Sequence, residues 1–231
     1  MRSLAAVFLI VAFAPAARAA GPVDLAGIQL GMSPTQAIRA IQTLHRALRI
    51  RAGHAQFPGD PHPYVDTLIA LLPNATATEI TDDLGIAFAT PPTSNEAMSV
   101  FSDIQYQSRR APTLAEFRSS LISKYGRPAW QSEGADAAAY RWLIPAQGMD
   151  CLDTRVYQLL RGFKSPWQPL DGDLKRTARD PARCASVLTY DLRLERGRVA
   201  EASAHLIDVA ASLASTQASS AYLQKLRNAA P

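Results

Sequence analysis

Four possible metal ligands, His54, Asp60, His62 and Asp66, fall within thirteen positions, in a stretch that also holds Phe57-Pro58-Gly59 and Pro61. Imidazole and carboxylate together would suit zinc or another divalent ion, and a loop would let them converge. The spacing does not help: no two of them stand at i, i+4 of a helix or i, i+2 of a clear strand. A solvated loop after a helix is the plainer expectation. Asp171-Gly172-Asp173 begins like a calcium loop, but Lys175 takes the third ligand position, which excludes an EF-hand.

Hydrolase signatures are missing. There is no G-x-S-x-G elbow, no H-E-x-x-H and no glycine-rich phosphate loop, and in Ser120-Leu121-Ile122-Ser123-Lys124 the lysine comes four positions after Ser120, too late for S-x-x-K. His205 and Asp208 could join a serine in a triad, yet their spacing on the outer side of a strand predicts exposure. Asp82 and Asp83 would point to opposite sides of a strand, which is wrong for shared acid–base work. Trp130, Trp142 and Trp167 are expected in the core or at its rim rather than as a ligand platform. Arg109-Arg110 reads as a solvated strand end, and Asn74-Ala75-Thr76 spells a glycosylation sequon only for a eukaryotic secretory route. No catalytic residue and no cofactor is expected.

The chain that must position these groups has 231 residues, 48% hydrophobic and 19% charged, which excludes disorder and collagen and fits one domain or two small ones. Its 24 basic residues against 20 acidic give +4; without Arg2 and Arg18 the balance is 22 against 20, or +2. That is no nucleic-acid footprint.

The first nineteen residues explain why those two arginines are set aside. Met1-Arg2 is followed by an apolar run from Leu4 to Ala14, then Pro15 and Ala17-Arg18-Ala19, the A-x-A spacing a signal peptidase reads. The run would rise only about 16 Å as a helix, roughly half a bilayer core. Residues 1–19 are therefore expected to be a cleaved signal peptide, and the product to be periplasmic or secreted without a transmembrane anchor. No Cys follows the run, which removes the lipoprotein route. Cys151 and Cys184 form neither a C-x-x-C pair nor a zinc spacing, so in an oxidising space they are expected to form one disulfide. It would close a loop of about 33 residues, worth roughly 3 to 4 kcal/mol by chain-entropy reasoning. The stretch it ties, 150–184, is broken by Gly162, Pro166, Pro169, Gly172 and Pro181 and reads as an irregular excursion.

Ser33-Pro34-Thr35-Gln36 is a helix start with a capping box, and Ile38, Ile41, Leu44 and Leu48 continue at helical spacing, so a helix ending near Gly53 is expected. Eighty positions on, Thr113 and Glu116 form a second capping box, Leu114, Phe117, Leu121 and Tyr125 a stripe, and Gly126 with Pro128 a stop. Thr67–Leu72, Leu84–Ala89, Met98–Tyr106 and Tyr140–Ile144 read as strands. A late hairpin alternates Leu188, Tyr190, Leu192 and Leu194 with polar residues and returns with Ala200, Ala202, Ala204 and Leu206. A two-residue loop would set Leu192 against Glu201. A three-residue loop, Glu195-Arg196-Gly197, pairs Leu192 with Ala200 and Tyr190 with Ala202, and is the expected register. Large residues facing alanines leave a channel into which a helix should pack. Asp208 then caps a last helix to about Leu226, with Leu213, Leu223 and Leu226 inward.

Helices followed by runs of strands argue α+β, an antiparallel sheet with amphipathic helices packed on one face. The echo of the two capped helices suggests two related α-β-β-β units: a first over 20–107, and a second over 108–231 that includes the excursion and the C-terminal helix.

The stretch Ile28-Gln29-Leu30-Gly31-Met32-Ser33-Pro34-Thr35-Gln36-Ala37 resembles the G-M-[ST]-x-x-[QE]-[AV] helix start of small envelope domains of the SmpA/OmlA type, and Lys124-Tyr125-Gly126-Arg127-Pro128 resembles the G-x-P that closes a helix in them. The resemblance implies a bacterial periplasmic α+β protein working by contact with other envelope proteins. Those relatives are short lipoproteins, and this longer chain lacks their lipid-accepting Cys, so membrane anchoring does not carry over. The doubled helix-plus-sheet plan is also similar to that of secreted β-lactamase-inhibitor proteins, which bind an enzyme through the concave sheet face. The expectation is an exported, non-catalytic protein that binds another envelope or secreted protein. The alternatives are a secreted metal-dependent hydrolase using His54, Asp60, His62 and Asp66, or a small-ligand carrier.

Overall fold

Both capping boxes close as their sequences require. Ser33 Oγ accepts from Gln36 N at 3.3 Å while Gln36 Oε1 accepts from Ser33 N at 2.8 Å, starting α1 (Pro34–Leu44). Thr113 Oγ1 and Glu116 reciprocate in the same way at the head of α2 (Leu114–Tyr125), which stops at Gly126, φ +78°. In each case two backbone donors that a helix start leaves without partners are satisfied.

The computed structural model describes residues 23–72, 81–144 and 186–229. The expected signal peptide at 1–19, Trp167, the Asn74-Ala75-Thr76 sequon, the Asp171-Gly172-Asp173 stretch and the Cys151–Cys184 disulfide with the excursion it ties lie outside the described residues. A short hairpin, β1 (Asp24–Leu25) and β2 (Ile28–Gln29), precedes α1. Four strands follow it: β3 (Arg49–Ala55), β4 (Tyr64–Leu71), β5 (Thr81–Phe88) and β6 (Ala97–Gln105). Four more follow α2: β7 (Trp130–Glu133), β8 (Ala137–Ile144), β9 (Ser186–Glu195) and β10 (Arg198–Asp208), and α3 (Val209–Ala229) comes last. The eight form one antiparallel sheet in the order β3-β4-β5-β6-β10-β9-β8-β7. The fold is α+β, as the pattern of elements implies.

α1 and α2 are each followed by one strand more than the sequence suggests. In the first run the extra strand is β3, so α1 stops at Leu44 rather than near Gly53. The helical spacing of Leu44 and Leu48 is coincidental, because His45 N–H bonds back to Ile41 O and a turn follows. From Arg49 the chain alternates, with Ile50 packed against the core between exposed Arg49 and Arg51. In the second run the extra strand is β7, only four residues long and exposed throughout.

Alternation along the strands separates two faces. Ala52, Leu68, Ala70, Leu84, Ile86, Val100, Ala204, Leu206, Leu188, Tyr190, Tyr140 and Trp142 look to one side; all except Ala52 are fully buried, and they share one core cluster with Ala37 and Ile41 of α1 and Leu121 of α2. Helix α2 crosses the Tyr190/Ala202/Ala204 strip as expected, its Phe117 and Tyr125 rings each 6.1 Å from the Tyr190 ring. Trp142 is a core residue whose Nε1 donates to Gly126 O at 3.0 Å.

The other face has a buried layer of its own. Ala87, Ser99, Ile207, Val187 and Leu143 are buried yet stand apart from that cluster, as do Val209, Ser212 and Ser215 of α3. Asp208 caps α3, accepting from Ala211 N at 2.8 Å. The small-residue middle of α3 is then explained by hydroxyls, since Ser215 Oγ accepts from Thr90 N at 2.9 Å and Ser219 Oγ donates to Pro91 O at 3.2 Å. Leu223 and Leu226 are only half-buried.

The β9–β10 register is neither of the two simple alternatives. A two-residue turn at Arg196-Gly197, with φ +53° and +74°, pairs Glu195 with Arg198 and Leu194 with Val199. The ladder then skips Ala200, so that Leu192 meets Ala202 and Tyr190 meets Ala204. The tight turn would have put polar side chains on the core face, and one bulged residue restores the apolar pairing. Two successive positive φ values are what this hairpin turn demands, and an arginine bears them poorly where Asn-Gly is favoured. Arg196→Asn should therefore raise stability by about 0.5–1 kcal/mol, read from urea unfolding.

Candidate binding face

The four sequence-predicted metal ligands do not meet. His54 stands exposed on β3, and Asp66 is the extra residue where β4 bulges, between the Gly53–Thr67 and His54–Val65 pairs, its Oδ1 accepting from Thr67 Oγ1 at 3.1 Å. Asp60 and His62 are together: Asp60 Oδ1 accepts from His62 N at 2.9 Å and lies 3.1 Å from His62 Nδ1. The other oxygen of Asp60 accepts from Tyr222 OH of α3 at 2.8 Å, and Phe57 stacks edge-on to the Tyr222 ring at 5.3 Å. The His62 backbone N–H and the Tyr222 hydroxyl hold the Asp60 carboxyl below the usual carboxylate range. The loop is thus clamped to the C-terminal helix. Among the described residues, no three His, Cys, Asp or Glu side chains are grouped to hold a metal.

His205 is buried, not exposed. It lies on the face away from the core cluster, where the second buried layer covers it, and its Nε2 shares a 2.6 Å hydrogen bond with Ser99 Oγ on the neighbouring strand. Burial pushes its pKa down to about 4, so the imidazole is neutral at pH 7. A serine–histidine contact sunk this deep offers a substrate no approach and reads as a satisfied core pair.

Pairing across the sheet lines up groups that sequence spacing leaves scattered. One row runs Gly85, Phe101, His205, Thr189, Arg141 and Trp130. The next, one pleat along, runs Asp83, Asp103, Ser203, Asp191, Ala139 and Ser132, and beyond it stand Gln105, Glu201 and Arg193. Burial falls along this series. His205, Thr189 and Arg141 are buried, whereas Asp83, Asp191, Arg193 and Gln105 are exposed.

Arg141 fixes the boundary between the rows. Its Nη1 donates to Tyr140 O at 2.8 Å and to Tyr190 O at 2.7 Å, its Nη2 pairs with Asp191, and its guanidinium carbon lies 5.8 Å from the centre of the Trp130 ring. Asp103 accepts from Ser203 Oγ at 3.1 Å; burial pushes its carboxyl pKa up, with Glu201 and Asp83 nearby adding to the rise against that hydrogen bond. Arg193 bridges Glu195 and Glu201, its Nε 3.1 Å from Glu201 Oε2. The result is a predominantly acidic surface on a hydrogen-bonded sheet, with Trp130, 40% exposed, at its margin. Only the register could have revealed it, because each of these residues reads individually as the solvated alternate of a strand.

No protein-family model, curated protein or solved structure matches this chain. Among the described residues, no helix is long and apolar enough to cross a membrane.

Proposed function

We propose that this chain is an exported envelope protein that acts without catalysis, by binding another protein through the outer face of its sheet. The observation that carries this reading is the row Asp83, Asp103, Ser203 and Asp191, exposed at Asp83 and Asp191 and half-buried between them, with half-buried Glu201 and exposed Arg193 beyond it, set on four paired strands whose opposite side holds the core and two helices. Backbone pairing fixes such a surface before it meets a partner, so little ordering entropy is lost on association. The resemblance to secreted inhibitor proteins that bind through a sheet face supports a sheet surface as the binding element. The leader-like residues 1–19 and the cysteine pair support an oxidising compartment.

A photo-crosslinking residue placed at Ser203 or Asp191 in intact cells is expected to trap a discrete protein adduct, while one at Gln42 on α1 traps none. Adducts from α1 alone, or from no position, would refute the assignment of this face. The same preparation, analysed by mass, should lack residues 1–19 and contain no free thiol.

A further inference from the structure

Cations, apolar side chains and carboxylates stand in that order on one face of the sheet, the face turned away from the core cluster. Arg49 and Arg51 of β3 alternate with core-packed Ile50, and their cross-strand partners on β4 are Leu71 and Ile69. On the same face Ile69 pairs with Gly85 of β5, and two residues before Gly85 stands Asp83, opposite Asp103 of β6. Arg49, Arg51 and Asp83 are exposed, Leu71 is 36% exposed and Ile69 is half-buried. Neither arginine has its guanidinium in an ion pair or hydrogen bond among the described residues, whereas Arg118, Arg141 and Arg193 are each paired with a carboxylate.

Charges on an edge strand discourage pairing with other chains, which accounts for the arginines of β3. It does not account for the apolar pair left open beside them, nor for carboxylates on the far side of that pair. We propose that this end of the outer face docks on a second copy of the chain, related to the first by a half-turn about an axis along β4. The half-turn sets outer face on outer face, β4 over β4 and β3 over β5 of the other copy. Leu71 and Ile69 then meet their own counterparts near the axis. Arg49 comes over Asp83, which lies one register step beyond the Ala70–Leu84 pair, and Asp103 beside it deepens the negative potential there. Arg51 comes over Gly85, which has no side chain to obstruct it. Sheets packed face to face stand about 10 Å apart, a gap that arginine can bridge. Each pairing occurs twice, because an isologous interface repeats every contact. A foreign protein would have to offer carboxylate, apolar surface and cation in matching order, and the chain already carries that order across β3, β4 and β5. The overlap is three strands wide, about 14 Å, and so small a footprint predicts a weak dimer that forms as concentration rises. Ser203 and Asp191, on β10 and β9, lie outside it, so this pairing stands independently of what binds that row.

Sedimentation equilibrium of the full chain at about 0.1 M salt should show a mass rising from one chain toward two as concentration increases, with a shift back toward one at about 0.5 M. Two charge-reversed proteins then locate the contact. Arg49→Glu with Arg51→Glu sets like charges against Asp83 of an identical copy, and Asp83→Lys sets like charges against Arg49. Each should dimerise about 25-fold more weakly than the wild type, since turning one exposed pair from attraction to repulsion is worth about fivefold and the half-turn presents it twice. An equimolar mixture of the two should recover dimer formation, because every facing pair in the mixed dimer is again of opposite sign. An unchanged circular dichroism spectrum checks that each variant is folded on its own. A wild type that stays one chain at every concentration, a dimer that neither reversal weakens, or two folded variants whose mixture stays dissociated would overturn the proposal. The first outcome would leave this strip to a foreign partner, and the second would place the contact on another surface.

Discussion

Arg141→Ala is expected to destabilise the fold by about 3–5 kcal/mol, while Asp191→Ala costs under ~1 kcal/mol. The asymmetry follows from where the two ends of the pair sit. The guanidinium is 1% exposed and donates to the carbonyls of Tyr140 and Tyr190, tying β8 to β9 from the side of the sheet away from the core. Charge-assisted bonds to buried acceptors are worth roughly 1.5–3 kcal/mol each, and the void left by the side chain adds to the loss. Asp191 is 48% exposed, so in Asp191→Ala water reaches the place its carboxylate held and bonds Arg141 Nη2, while Nη1 keeps the Tyr140 and Tyr190 carbonyls. Arg141→Met, which refills most of the volume but offers no donors, should recover only part of the deficit. Urea titrations of the three variants decide the matter. Equal losses from Arg141→Ala and Asp191→Ala would show that the ion pair, not the carbonyl bonds, is the important contact.

Acid should weaken the protein through His205. Its folded-state pKa is about 4 against an ordinary 6.5. Above pH 6.5 the imidazole is neutral whether the chain is folded or not, and the residue adds no pH dependence. As pH falls through 6.5 the unfolded chain takes up a proton that the folded chain refuses until near pH 4. Stability therefore drops across that window, by about 3 kcal/mol in total, and the contribution is flat below it. His205→Gln keeps a side chain able to bond Ser99 and cannot titrate. Its unfolding free energy should fall less than that of the wild type between pH 7 and 4.5, by roughly 2–3 kcal/mol, with every carboxylate contribution common to both. Parallel pH curves for the two proteins would place the imidazole in water and contradict its burial.

What the sequence made legible, and what it did not, divides along physical lines. Both capping boxes were readable because their signals are local: the bonding partners stand three residues apart. The late hairpin strands were readable because their alternation is strong. Its turn was not, because the choice between loops depends on a bulge at Ala200, and the carbonyl of Ala200 is engaged by Tyr106 N, ninety-odd positions away. Strand β3 was hidden by apolar residues that happen to continue the helical period, and β7 by having no buried face at all. His205 and Arg141 were misjudged or overlooked for one shared reason. Alternation says which side of a strand a residue faces but not whether that side is covered, and here α3 and a second buried layer cover part of the face opposite the core. The outer row of acids lay beyond sequence reasoning altogether, since it exists only once four strands are in register.

The centre of the sheet is the seam between β6 and β10, where Ser102 lies opposite Ala204 and Asp103 opposite Ser203. The two strands that meet there are the last of each run, and β10 leaves the ribosome after every other strand. Until it arrives, the two flanking meanders present raw borders and open apolar sides, and among the described residues no strand pairing joins them. A chain cut short before Arg198 is therefore not a smaller version of this protein. It is two sticky fragments, prone to self-association, and quality control would have to remove it.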